Sequence, residues 1–388
     1  MPIIYVDNNA TTPLDERVLE AMLPYLKGHF GNSSSKTHAY GWTAEAAVDV
    51  AREELAAAIG ASPEEIFFTS GATESDNWVL LGILHPGEHL VISATEHEAI
   101  METARYMERC GVRVTVLPVD RFGVVDPETL REAITSETKL ISIMLANNET
   151  GTLNPVAELA EVAHEAGVPF HTDAAQALGK IPVGTEQLGA DLISLSAHKC
   201  YGPKGVGALY VRRRPRSGVR RVRPMSLFHG GGQERGMRSG TLNVPGIVGF
   251  GRAAPLAAEA LTEESVRVAG LRDNLWEGLS AGVPVVRLNG HPVERLPNTI
   301  NVSFPGVRAV DLLGVLADVA ASAGSACASS RAEPSHVLRA MGLGEEYALS
   351  SARFSLGRFT TREEVERAVE LVTDAVRELR MSFMGVVE

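Results

Sequence analysis

The sequence predicts an α/β protein built on a mostly parallel, seven-stranded sheet, followed by a smaller α+β unit. Three observations carry this reading. Short β-branched or aromatic runs alternate with helical stretches between about residues 65 and 212. Several of those runs are almost continuously apolar, as strands covered on both faces are. After about residue 255 the alternation gives way to a long Ala/Glu/Leu/Arg-rich stretch and shorter mixed segments.

The strand-like runs are 65–70, 89–94, 112–119, 140–146, 169–173, 191–197 and 207–212. Between them, 127–134 and 155–166 have helical periodicity, and each opens on a proline. Proline suits a first helical turn, where an N–H would have no intrahelical partner. Farther on, 253–279 reads as helix, 283–288 and 299–304 as short strands, and 362–379 as a terminal amphipathic helix. There is no internal repeat and no low-complexity linker.

Composition narrows the function. With 45% hydrophobic and 22% charged residues over 388 positions, the chain is in the globular range. Its formal charge of −12 opposes a general nucleic-acid binder, whose footprint is basic. Three cysteines (Cys110, Cys200 and Cys327) without Cys-x-x-Cys spacing exclude a disulfide framework and a standard structural zinc site. They fit a reducing compartment. No apolar run approaches the roughly 18–20 residues of a membrane span, and the N-terminus has no basic stretch ahead of an apolar core. The expected location is the cytoplasm. The segment 212–223 holds seven arginines in twelve residues. It reads as a solvated surface loop or, alternatively, as a docking site for an acidic partner or a subunit contact.

Ligands of open α/β sheets sit at the carboxyl ends of the strands, so the residues just past each strand are informative. After the first comes Thr69-Ser70-Gly71-Ala72-Thr73-Glu74-Ser75, a small, hydroxyl-rich turn entering a helix and suited to a phosphate. It is neither a Walker loop nor a dinucleotide-binding glycine pattern. The second strand is followed by Thr95-Glu96-His97-Glu98 and the fourth by Asn147-Asn148-Glu149-Thr150-Gly151. The fifth ends in His171-Thr172-Asp173-Ala174-Ala175-Gln176, and Ser196-Ala197-His198-Lys199 follows the sixth. Each could be structural alone, as a hydrogen-bonded core histidine or a capping aspartate. Together they meet the needs of pyridoxal phosphate: a lysine for a Schiff base (Lys199), a carboxylate for the pyridine nitrogen (Asp173), a phosphate cup (Thr73, Ser196, His198) and an imidazole over the ring (His97).

The motifs Asp7-Asn8-Asn9-Ala10-Thr11-Thr12-Pro13, Phe30-Gly31-Asn32, Ser70-Gly71-Ala72-Thr73-Glu74-Ser75, Glu96-His97, Asn147-Asn148-Glu149-Thr150-Gly151, Ser196-Ala197-His198-Lys199 and Gly240-Thr241 occur in that order. With Gly324-Ser325-Ala326-Cys327 and Arg353-Phe354-Ser355-Leu356-Gly357-Arg358, they closely resemble the cysteine desulfurases of the nitrogenase-associated and iron–sulfur-assembly branch. The resemblance covers nearly the whole chain. It implies a fold type I pyridoxal-phosphate transferase, with a large cofactor-binding domain over 16–254 and a small domain made of 1–15 and 255–388 that carries the cysteine loop.

The resemblance also implies roles, residue by residue. Lys199 would form the Schiff base and act as acid and base at the substrate α-carbon. Asp173 would pair with the pyridinium nitrogen, Gln176 would bond the phenolic oxygen, and His97 would stack on the ring and handle protons. Ala72, Thr73, Ser196 and His198 would hold the phosphate, with Thr241 reaching in from a second subunit of a homodimer. Asn32, Asn148 and Arg353 would bind the substrate, the arginine as a clamp on its carboxylate. Cys327 sits among Ala, Ser and Gly, which suits an accessible loop better than a core, and it would be the nucleophile. No metal is implied.

The implied reaction takes L-cysteine to L-alanine and leaves a persulfide on Cys327, for delivery to an iron–sulfur scaffold or another thio-cofactor pathway. The nine residues after Leu379 are unlike the longer tail with which several relatives contact their scaffold, so the acceptor stays open. The alternatives on the same scaffold are selenocysteine lyase and cysteine-sulfinate desulfinase. A fold type I aminotransferase would not need Cys327, and a non-catalytic assembly subunit should have lost Lys199 or Cys327.

Overall fold

A computed structural model describes residues 3–324 and 334–384. Twelve strands fall within them: β1 (Ile4–Tyr5), β2 (Ile66–Thr69), β3 (His89–Ser93), β4 (Arg113–Leu117), β5 (Thr138–Ser142), β6 (Phe170–Asp173), β7 (Leu192–Ser196), β8 (Gly207–Val211), β9 (Arg287–Asn289), β10 (Thr299–Ser303), β11 (Val319–Ala320) and β12 (Ser351–Ser355). Seven form the large sheet in the order β2-β8-β7-β6-β5-β3-β4. Strand β8 runs antiparallel to both neighbours, and the remaining pairs are parallel. These are the seven expected runs, so the mostly parallel sheet is borne out.

The nearly continuous apolar runs belong to strands buried at every position, such as β2, β3 and β7. Alternate side chains enter different cores, as the two-residue period of a strand requires. Ile66, Phe68, Val91, Ile141 and Ile193 pack on one face with the helices Ala39–Ile59 and Val156–Glu165. Phe67, Leu90, Ile92, Leu140 and Leu192 pack on the other with Ala72–Ile83 and Glu98–Arg109. The run expected at 140–146 pairs only as far as Ser142. Beyond it the N–H groups of Ile143 and Leu145 still donate to the carbonyls of His171 and Asp173, at 3.1 and 3.0 Å. That carries the chain toward the Asn147-Asn148 turn.

A second, antiparallel sheet has the order β12-β10-β9, and β1 pairs in parallel with β11. Ile4 and Val6 share one core with Leu275, Val302, Phe354 and Val372. The helix expected from residue 253 starts at Val244 and runs unbroken to Gly282. Asn243 caps it, its side-chain oxygen accepting from the Gly246 N–H at 3.1 Å. Pro255 lies inside, where proline usually marks a helix start or a break. The first half of this helix packs through Ile247, Phe250 and Ala254 beneath the large sheet. Its second half packs through Val268, Leu271 and Leu279 against the small one. The strand expected at 283–288 is Arg287–Asn289, because Val285 adopts φ +54°, which no strand accommodates.

The basic stretch 212–223 is partly tied down. Arg212 and Arg216 pair with Glu186 at 2.6 and 3.1 Å, while Arg213, Arg214, Arg220 and Arg221 are exposed. No described helix is long and apolar enough to cross a membrane.

Candidate active site

The segments that follow β2, β3, β5, β6 and β7 converge on one cavity of about 460 Å³, where the topology places a ligand. Strand β6 ends on Asp173 and β7 on Ser196. A single 3-10 turn, Ala197–Lys199, then brings His198 and Lys199 to the cavity wall.

The anion end is made by main chain. After β2 the chain turns through Ser70 and Gly71 into the helix Ala72–Ile83, whose first turn has no side-chain cap. Its N–H groups are left for an anion, and the helix dipole adds positive potential at the same point. The turn lies tight on the sheet: a Cβ on Gly207 would come 2.6 Å from the Gly71 Cα. His198 shares the wall, its Nδ1 3.1 Å from the Thr11 hydroxyl. Burial, helped by Lys199 and Lys204, lowers its pKa to about 4, so it is a neutral hydrogen-bonding group near neutral pH. Glu74 also faces the cavity, but its carboxylate accepts from Arg238 at 2.8 and 3.1 Å and from the Ser70 N–H at 2.8 Å. Those bonds offset its charge beside the anion cradle.

Also lining the cavity, Asp173 accepts from the Ala175 N–H at 2.8 Å. Burial raises its pKa, while His97 and Lys199 oppose the rise. Deeper in the core, burial and then the Asp173 charge push Asp76 well above the usual carboxylate range. Of the two carboxyls, Asp173 is the one that faces the cavity and accepts from a main-chain N–H, which favours its charged form. Lys199 Nζ donates to the carbonyl oxygens of Asn9 and Ala10, at 2.6 and 2.8 Å. His97 caps the helix Glu98–Arg109, its Nδ1 accepting from the Ala99 N–H at 3.1 Å. A neutral ring in that position carries its proton on Nε2.

The small sheet contributes Arg353 from the middle of β12. Its guanidinium is 1% exposed and donates to Asp7 Oδ1 at 2.7 Å and to the Asn148 carbonyl at 2.9 Å. Its buried Nε has no partner among the described residues. An orphaned donor in a buried arginine marks the place of a further acceptor such as a carboxylate.

Lys199, His97, Ala72, Thr73, Asp173, Gln176, Ser196, His198, Asn148 and Arg353 all line this cavity, as the sequence led us to expect of one site. Asn32 and Thr241 are exposed and do not line it. Cys327 lies outside the described residues. The other cysteines do not compete for its role: Cys110 ends a helix on the surface, and burial pushes the Cys200 thiol to about 12. Sequence reasoning missed Asn9 and Ala10, which act through main-chain carbonyls and so leave no side-chain signature, and Lys204. The donor set fits pyridoxal phosphate: an amine, a buried carboxylate in the same cavity, and an uncapped helix start.

Comparisons with known proteins point the same way. Residues 4–368 match the aminotransferase class-V family. The chain is 54% identical over 381 residues to a cysteine desulfurase IscS of Anaeromyxobacter sp. (strain Fw109-5), covering 97% of this chain and 93% of that one. It is 49% identical to a cysteine desulfurase of Mus musculus, with 97% and 82% covered. Among solved structures, a NifS-like protein matches with a TM-score of 0.89 at 39% identity, over 97% of this chain and 99% of its own. The structure described as SspA in complex with cysteine matches with a TM-score of 0.79 at 36% identity, over 92% and 99%.

Proposed function

We infer, from the premise that this chain belongs to the aminotransferase class-V family, that it is a cysteine desulfurase taking L-cysteine to L-alanine. The observation that carries this is one cavity holding Lys199, Asp173, an uncapped helix start and a buried arginine with an unused donor. Pyridoxal phosphate would be held by Lys199, by Asp173 at the pyridine nitrogen, by Gln176 at the phenolic oxygen, and by Ala72, Thr73, Ser196 and His198 at the phosphate. When bound, it supplies an electron sink that eases loss of the substrate α-proton and weakens the bond from the β-carbon to sulfur.

The chain's own residues do the rest. Arg353 and Asn148 hold the substrate carboxylate, and the Arg353–Asp7 bond keeps the guanidinium plane fixed. Lys199, steadied by two carbonyls, takes the α-proton and returns a proton to the carbon skeleton. His97 covers the ring and relays protons through Nε2. The Cys327 thiolate attacks the substrate sulfur: an S–S bond forms, the C–S bond breaks, and the β-carbon gains a proton. Alanine leaves, and the sulfur stays as a persulfide for an acceptor protein in iron–sulfur assembly. The exposed Arg213, Arg214, Arg220 and Arg221 offer such an acceptor a basic surface. The reaction needs a reduced thiol, which suits the cytoplasm.

The decisive assay incubates the purified, yellow protein with L-cysteine and a reductant and measures alanine and sulfide together. Equal amounts of the two are expected. Pyruvate or an amino-group acceptor requirement in place of alanine would make it a lyase or an aminotransferase instead.

A homodimer is part of the same reading, with Thr241 of one protomer completing the anion site of the other. Two facts support it: Thr241 is absent from its own cavity, and an exposed aromatic group stands ready for burial. Phe30 is 71% exposed, and its ring lies 5.1 Å from that of exposed Tyr40, with Trp42 nearby in sequence. Light scattering should give twice the chain mass, with C2 symmetry the expected arrangement. A monomer that retains the cofactor fully would contradict it.

A further inference from the structure

Lys180 is a buried amine that the reaction above does not use. Its Nζ donates to Gln176 Oε1 at 2.7 Å and to Asn9 Oδ1 at 3.2 Å, so both partners are amide oxygens. The lysine donates here, and Gln176 turns its oxygen toward it. On its other side, Gln176 Nε2 donates to the Asn9 carbonyl at 2.9 Å, and that atom only accepts. The Asn9 carbonyl, which can only accept, takes the amide nitrogen while Lys180 holds the oxygen, and together they oppose a flip. One N–H of Gln176 is left for the cavity it lines. The same Asn9 carbonyl accepts from Lys199, so the two lysines share Asn9 as a partner.

Placing an amine here is costly, and packing alone does not call for one. Burial, with Lys199 and Arg353 adding repulsion, lowers Lys180 to about 7. The other titratable groups around it give little compensation. Cys200 is held at about 12 and His198 at about 4, so both are neutral. Tyr201 and Glu264 line the small void behind it, and Glu264 is already paired with Arg358 at 2.8 Å.

We propose that Lys180 is a positioning residue, which locks the Gln176 amide so that an N–H, not the carbonyl oxygen, meets the phenolic oxygen of the bound cofactor. This rests on the pyridoxal-phosphate reading above.

The test is a double-mutant cycle read by pH titration of the visible absorbance of the holoenzyme. A donor to the phenolic oxygen favours its anionic form, so losing that donor raises the pH at which the absorbance changes. Lys180→Met should raise that midpoint by about one unit. Gln176→Leu should raise it similarly, and adding Lys180→Met to Gln176→Leu should move it little further. Lys180→Gln, which keeps an N–H donor, should shift it less than Lys180→Met does. Unchanged midpoints, or shifts that simply add, would overturn the role, as would failure of both Lys180 variants to fold. A wild-type protein that takes up no cofactor would instead overturn the pyridoxal-phosphate reading itself.

Discussion

Cys327→Ser is expected to abolish sulfur transfer while leaving a folded, yellow enzyme. A thiol of ordinary pKa is only a few per cent ionised near pH 7, yet it is the strongest nucleophile toward sulfur that a protein has. Serine is nearly isosteric, but its alkoxide is inaccessible at neutral pH, and oxygen attacks divalent sulfur poorly. Each proposed cofactor contact lies elsewhere, on Lys199, Asp173, Gln176, His97 and the anion cradle, so cofactor content should match wild type. Cysteine should still bind and change the absorbance, and those changes should build up and stall. Alanine and sulfide should fall by orders of magnitude, with no persulfide recovered on the protein by mass spectrometry. Selenocysteine turnover can survive the change, because that carbon–selenium bond breaks more readily and its leaving group is already ionised. Near-wild-type cysteine turnover in the serine variant would make Cys327 a bystander.

Lys199→Ala should be as severe by a different route. It removes the only covalent tie to the cofactor and the group that moves the α-proton. Loss of positioned proton transfer alone costs roughly 10²–10⁴-fold. The variant should stay folded, since the lysine side chain lines the cavity and bonds main-chain carbonyls of Asn9 and Ala10 that line it too. Asp173 and the helix start should still hold some cofactor in free form, with the spectrum of an unbound aldehyde. Alanine production with the wild-type spectrum would remove Lys199 from the mechanism.

These two residues could be singled out from sequence because their chemistry is scarce: a lysine directly after a buried strand, and a cysteine among small residues. The large sheet was legible for a related reason. Strands buried on both faces, such as β2 and β7, are largely apolar, and few other short segments of a chain carry that pattern. Elements made for the site were harder to read. Strand β12 is Ser-Ala-Arg-Phe-Ser, a polar run that looks like a loop until Arg353 is seen delivering its guanidinium to the cavity. The start of the long helix was obscured by Pro255, and the Asn9 and Ala10 contacts use atoms every residue possesses. Lys180 was passed over because nothing in its neighbourhood distinguishes a buried amine from a solvated one.

The helix Val244–Gly282 has a consequence for how this chain tolerates change in length. At about 1.5 Å and 100° per residue, its 39 residues form a rod close to 60 Å long. One end is seated under the large sheet through Phe250 and the other against the small sheet through Leu275. Adding or deleting one residue between Ala257 and Val268 would turn one seat about 100° relative to the other. Arg353 would no longer point at the cavity that Asp173 defines. Substitutions on the exposed side of this segment are cheap, whereas insertions and deletions are not. The rod acts as a gauge block, and the spacing between substrate clamp and cofactor site is encoded in a residue count.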